Sequence, residues 1–195
     1  MNAYSAKQKK DSIVYFSPQQ KKALHHFKHL LIQYKKHIRN NHLTPIFLCI
    51  GSDRATGDCY GPLVGDALSR HYNSCPVSGT QIPVYGTLDS PVHALNLQKN
   101  IEEIYKNYKN PYIIAMDASL GISSHIGYVT VSKGPLFPGI GVQKSLPQVG
   151  DLAITGIVNQ TCNNCRGTLQ STKLSVVMNL ANFTSDGIIQ SFIKN

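Results

Sequence analysis

From Thr44 onward the hydrophobic positions fall into short unbroken runs separated by amphipathic stretches. Ile46-Phe47-Leu48-Cys49-Ile50 is one such run, ending at Gly51, and Tyr112 to Met116 is another, ending at Asp117. Apolar runs of this length without alternation predict strands buried on both faces. Gln81 to Tyr85, followed by Gly86-Thr87, predicts a further strand. Tyr128 to Ser132 alternates as an edge or antiparallel strand does, and Leu152 to Val158 closes the sheet. Between these runs apolar residues recur at spacings of three and four, the signature of helices packed by one face. They are Leu63, Ala67, Leu68 and Tyr72 after Gly61-Pro62; Leu97, Ile101, Ile104 and Tyr108 within His93 to Tyr108; and Leu174, Val177, Met178 and Ala181 near the end, with Ile188 to Ile193 as a final turn or two. Strands alternating with helices predict an α/β fold: a mostly parallel twisted sheet with helices on both faces.

The first 45 residues read differently. Leu24, Phe27, Leu31, Tyr34 and Ile38 form one apolar stripe, and Ser17 with Pro18 makes a plausible N-cap and first helical position. The pattern predicts one amphipathic helix from Ser17 to Asn40, packed on the body formed by residues 45–195. No linker rich in Pro, Gly or Ser and no internal repeat separates the elements, so 1–195 is expected to form a single α/β domain with 1–45 as a basic N-terminal extension.

Charge sharpens this division. The chain has 195 residues and a formal net charge of +9. Residues 1–45 hold nine basic residues and one acid, Asp11, so the body is close to neutral. A nucleic-acid or other acidic partner is therefore expected, if anywhere, only at the basic N-terminal helix. No apolar run approaches the ~20 residues of a membrane helix, and the lysine-rich start has no apolar core of a secretory signal, so no membrane partner and a cytoplasmic location are expected. Five cysteines cannot all pair within one chain.

In open parallel sheets chemistry gathers outside the carboxyl ends of the strands. Three acid-bearing turns are expected there: Gly51-Ser52-Asp53-Arg54, Gly86-Thr87-Leu88-Asp89 and Asp117-Ala118-Ser119. Asp117 follows a buried strand directly, where a charge needs a partner or a shifted pKa. Alone, Asp117 reads equally well as a turn or cap residue, and Asp58, just before Gly61-Pro62 and a helix, reads most simply as a cap. Held close together, two carboxyls titrate as a pair, one readily ionised and one reluctant, which suits general acid–base hydrolysis by water. A metal needs further ligands, and His93 is the one histidine expected to approach this rim. Cys162-Asn163-Asn164-Cys165 is a lone CxxC without the second pair of a zinc ribbon. Cys59 with His93 as base has no supporting spacing, and Pro138-Gly139-Ile140-Gly141-Val142 lies between later strands, where a nucleotide loop is not supported.

The segment from Gly51 through Asp58 to Gly61-Pro62 resembles the first active-site segment of the germination protease of spore-forming bacteria. Ile114-Ala115-Met116-Asp117-Ala118 resembles that family's second aspartate, and Pro138-Gly139-Ile140-Gly141-Val142 its Pro-Gly-x-Gly-Val segment. The closer resemblance is to the YyaC family of sporulation proteins. It runs from Phe47 to Val158 and includes Gly86-Thr87-Leu88-Asp89-Ser90-Pro91-Val92-His93-Ala94 and Leu146-Pro147 with Val149-Gly150-Asp151. A more distant likeness is to hydrogenase-maturation endopeptidases, whose two acids match Asp58 and Asp117. Their nickel-binding histidine falls in the region of Pro138 to Val142, where this sequence has none.

These resemblances imply a three-layer phosphorylase/hydrolase-like fold and a peptidase acting with two aspartates in the cytoplasm of a sporulating cell or forespore. Asp58 and Asp117 are the expected catalytic pair. Asp53, Arg54, Asp89, His93, Gly139 and Gly141 are expected to line a cleft for a peptide or protein substrate, with no metal and no cofactor. Two alternatives stay open: a non-catalytic sporulation protein that keeps the fold and a binding cleft, and a hydrolase of another amide.

Overall fold

The computed structural model describes residues 13–74, 81–138, 146–161 and 165–193. Its centre is a six-stranded sheet built from β1 (Val14–Phe16), β2 (Thr44–Cys49), β3 (Val84–Tyr85), β4 (Pro111–Gly121), β5 (Val129–Lys133) and β6 (Leu152–Gln160), in the order β1-β5-β6-β4-β2-β3. β3, β2, β4 and β6 run parallel, β5 is antiparallel to β6, and β1 is antiparallel to β5. The helices are α1 (Ala23–Asn40), α2 (Tyr60–Ser74), α3 (Leu97–Asn107), α4 (Cys165–Gln170) and α5 (Leu174–Ile188), the last continued by a π-helical turn at Ile189–Ile193. This is the mixed, mostly parallel three-layer α/β fold that the alternation of runs predicts.

Two apolar layers sandwich the sheet. On one side Tyr112, Ile114 and Met116 of β4 join Phe27 and Leu31 of α1, Tyr60 and Val64 of α2, and Val177 and Leu180 of α5. On the other, Ile113 and Ala115 join Ile46 and Leu48 of β2 and Leu97 and Ile104 of α3. The period of two along β4 thus continues to Asp117, which follows Ala115 onto the α3 side. No helix of the described residues is long and apolar enough to cross a membrane.

The N-terminal segment departs from expectation twice. The helix begins at Ala23, not Ser17. Ser17 instead accepts the N–H of Gln20 through its carbonyl, so Ser17-Pro18-Gln19-Gln20 closes a turn with proline second. The fixed φ of proline suits that position as well as a first helical turn, and the tertiary pairing decides between them. Val14–Phe16, missed in the sequence, forms strand β1 on β5, so the chain must reverse before α1 can begin. β5 is consequently an interior strand. Within α1 Phe27 is fully buried, its ring 5.2 Å from both Phe16 and Phe183. Lys28, Lys35, Lys36 and Arg39 lie on the same helix, which holds no acid.

Element ends shift elsewhere. β3 keeps only two of the five expected residues, and α3 starts at Leu97 because His93–Asn96 form a turn in which Asn96 accepts the His93 N–H. β4 runs four residues past Asp117, paired with β6 as far as Gly121↔Gln160.

Candidate active site at the carboxyl end of the sheet

Asp117 is therefore a residue within a strand, not the residue that leaves it. Its neighbour Met116 pairs with Cys49, the last residue of β2, so β4 projects beyond β2 from Asp117 onward. The extension is held on the other side by β6, where Asp117 pairs with Thr155. The rim that the sequence locates at a strand end is made here by one strand outrunning its neighbour.

The gap above β2 is filled by the loop that carries Asp58. Ile50 donates its N–H to the Met116 carbonyl and Gly51 donates to Val92, which brings the loop after β3 alongside. The chain then folds back through a 3-10 turn, Thr56–Cys59, into α2. Gly51 has φ 141°, and a Cβ there would collide with the carbonyl of Asp58. Glycine is required at this position because only its backbone lets the two limbs of the loop touch. Gly61 is pressed in the same way against the carbonyl of Ile50.

Within this loop Ser52 donates its hydroxyl to Asp58 Oδ2 at 2.9 Å. Burial raises the Asp58 carboxyl above the usual carboxylate range, while hydrogen bonds from the Ser52 side chain and backbone, and the charge of His93, act to lower it. Asp117 is raised well above that range, first by burial and then by the negative charge of Asp58, against one hydrogen bond from the Ala118 N–H. The two carboxyls thus lie near enough to feel each other, and their environments separate them. Asp117 is the more reluctant to ionise, because Ser52 and His93 partly offset the effect of burial on Asp58.

Two neighbours frame the pair. The Tyr60 ring is fully buried against Gly156, its hydroxyl 2.8 Å from that of Thr184, and burial pushes its phenol up. Cys59, half-buried, has its thiol raised by burial and by the charges of Asp58 and Asp53. A thiol so placed is a poor nucleophile, because the thiolate is the reactive form. His93 accepts the Leu95 N–H at Nδ1, 3.3 Å away, which puts the proton of a neutral ring on Nε2.

The charge of His93 acts on Asp58, and that of Asp58 on Asp117. Asp53 and Arg54 are exposed at the start of the same loop, with Asp53 close enough to act on Cys59, and Asp89 is exposed in the turn after β3. Gly139, Gly141 and Cys162 lie outside the described residues. Asp66, within α2, accepts the Leu88 N–H at 3.1 Å. Among the described residues no three His, Cys, Asp or Glu side chains gather as a metal-binding group. Ser52 and Tyr60 were missed by sequence reasoning. The signal for Ser52 was a hydroxyl in the same post-strand turn as a candidate carboxylate; Tyr60 carried no signal beyond its place beside Asp58.

The chain is 48% identical over 143 residues to the uncharacterized protein YyaC of Bacillus subtilis (strain 168), an alignment that covers 73% of this chain and 67% of the relative. Residues 15–187, from β1 to the last turn of α5, match the family described as "Protein of unknown function (DUF1256)". The match spans both limbs of the carboxylate site and nearly the whole described fold, and the chain belongs to that DUF1256 family.

Proposed function

We propose that this protein is a peptidase that hydrolyses a peptide bond with the Asp58–Asp117 pair, acting in the cytoplasm of a spore-forming cell. The observation that carries the reading is the asymmetry of two interacting carboxyls. Asp117 is kept towards its protonated form by burial and by the charge of Asp58, and Asp58 is stabilised as the carboxylate by Ser52. Carboxyls whose environments push their pKa values apart divide naturally into a base and an acid. In this role Asp58 takes a proton from water as the water oxygen attacks the scissile carbonyl. Asp117 gives its proton to the departing amide nitrogen as the C–N bond breaks. Proton return from Asp58 to Asp117 through solvent restores the pair. Asp53, Arg54, Asp89 and His93 are assigned to contacts with the bound chain around the rim. The resemblance to the germination protease, carried by Gly51 to Pro62 and by Ile114 to Ala118, supports both the reaction class and the sporulation setting.

One observation favours a second reading, a non-catalytic protein with a binding cleft: each aspartate accepts a backbone N–H, from Ser52 and from Ala118. Such bonds suit a purely structural carboxylate as well as a catalytic one. The discriminating experiment exposes a proteome-derived peptide library to wild type, Asp58→Asn and Asp117→Asn and identifies new termini by mass spectrometry. The peptidase reading expects cleavage by wild type alone. Full activity in either variant, or no cleavage by wild type, overturns it, and retention of peptides without cleavage establishes the second reading.

A further inference from the structure

The side of β4 that carries Asp117 continues into a cavity of about 320 Å³ that no role yet explains. Ser119, two residues beyond Asp117 and so on the same face, lines it, and so does Thr155, the β6 partner of Asp117. Ser119 donates to the Thr155 hydroxyl at 3.2 Å, and the Thr155 and Thr130 hydroxyls are 2.7 Å apart, so a strip of three hydroxyls runs from beside Asp117 across β4, β6 and β5. These hydroxyls form the floor.

The walls are apolar. Ile13 and Tyr15 at β1, Ile122 after β4 and Ile157 of β6 surround the strip, with the His125 ring 4.8 Å from the Tyr15 ring, and among the described residues no Asp, Glu, Lys or Arg lines the cavity. Ile13, Tyr15 and Ile122 are also among the most exposed large hydrophobic side chains of the described residues, at 53%, 44% and 62%. Exposed apolar side chains gathered round a concavity mark binding surfaces. Ligand cavities span roughly 300–1,000 Å³, so this one accommodates a side chain or two but not a nucleotide.

We infer that this cavity is a specificity subsite that takes an uncharged apolar side chain, aliphatic or aromatic, of a peptide passing over Asp117. The occupant follows from three features: continuity with Asp117 through the Asp117–Thr155 pair and Ser119, walls rich in isoleucine and tyrosine, and no Asp, Glu, Lys or Arg among the described lining residues to match an acidic or basic side chain. The hydroxyl strip supplies hydrogen-bond partners for the peptide backbone beside that side chain. The inference rests on the peptidase reading for its meaning but not for its test.

The test uses the full chain, isotope-labelled, and two blocked probes, acetyl-Ala-Phe-Ala-amide and acetyl-Ala-Glu-Ala-amide. Titration followed by amide NMR shifts is expected to move Ser119, Gly121, His125 and Thr155 with the Phe probe and to bind it at least about tenfold more tightly than the Glu probe, the discrimination expected from burying one large apolar side chain. Ile122→Asp, at an exposed position, is expected to weaken the Phe probe about tenfold while leaving thermal unfolding unchanged. In the peptide library, apolar residues are expected to be enriched at one fixed position relative to the cut. Shifts at these amides without cleavage of any peptide would remove the peptidase reading and leave the subsite standing. Cleavage with no apolar preference, or a Phe probe that leaves these amides unmoved, overturns the subsite even where the peptidase reading holds.

Discussion

Replacing Asp117 by asparagine should make the protein more stable at neutral pH, and by an amount that depends on pH. The carboxyl is raised well above the usual range by burial and by Asp58. A carboxyl whose pKa is raised on folding favours the folded state fully below its unfolded value, near 4, and that contribution is lost as pH rises towards the folded value. Each unit of displacement is worth about 1.4 kcal/mol. Asparagine keeps an oxygen for the Ala118 N–H but has no charge to desolvate and none to repel Asp58. The expected gain at pH 7 is about 1–2 kcal/mol, the common yield of relieving a strained functional site, which corresponds to roughly 2–8 °C in Tm for a chain of this size. Thermal unfolding of wild type and variant, followed by circular dichroism from pH 4 to pH 8, measures it. The two Tm values should converge towards pH 4 and separate as pH rises. A variant less stable than wild type by a constant amount across that range would show that Asp117 acts as an ordinary structural acceptor, and the electrostatic account of the pair would fail.

Ser52→Ala removes the hydroxyl bond to Asp58 Oδ2, which should cost about 1 kcal/mol in chemical denaturation and, since that bond lowers the Asp58 pKa, move the acidic limb of any cleavage–pH profile to higher pH. Phe27→Ala opens a cavity between Phe16, Phe183 and Gly187 and should cost about 3–5 kcal/mol by the same measurement. Truncation of residues 1–42 removes α1 and β1 together, exposes the Phe183 surface and should produce aggregation; a soluble truncated chain with unchanged melting would refute the packing role of the helix. Elemental analysis of protein purified without chelator should find substoichiometric zinc and nickel, and one equivalent of either, lost in Asp58→Asn, would contradict the two-carboxylate site.

The sequence by itself determined the layer order. Unbroken apolar runs such as Ile46 to Ile50 and Tyr112 to Met116 can be satisfied only between two covering layers, and the three-and-four spacing of Leu97, Ile101 and Ile104 supplies one of them. The hydrophobic pattern also made Asp117 stand out, a charge directly after a buried strand, and the family resemblance added Asp58 as its partner. The tertiary structure decided the rest. β1 was invisible because three residues carry too little periodicity to register, and its pairing with β5 turned Ser17-Pro18 from a helix start into a chain reversal. Asp117 was placed at the end of a strand because its charge interrupts the apolar run, yet the backbone stays paired to β6 through Gly121. Hydrogen bonding between strands does not depend on side-chain polarity, so a run of apolar residues shows where a strand is covered, not where it stops. The electrostatic inequality of the two carboxyls was likewise beyond the sequence. It arises from Ser52 and His93 meeting Asp58, and from burial of Asp117 beside it, contacts that only the crossing of loops above β2 creates.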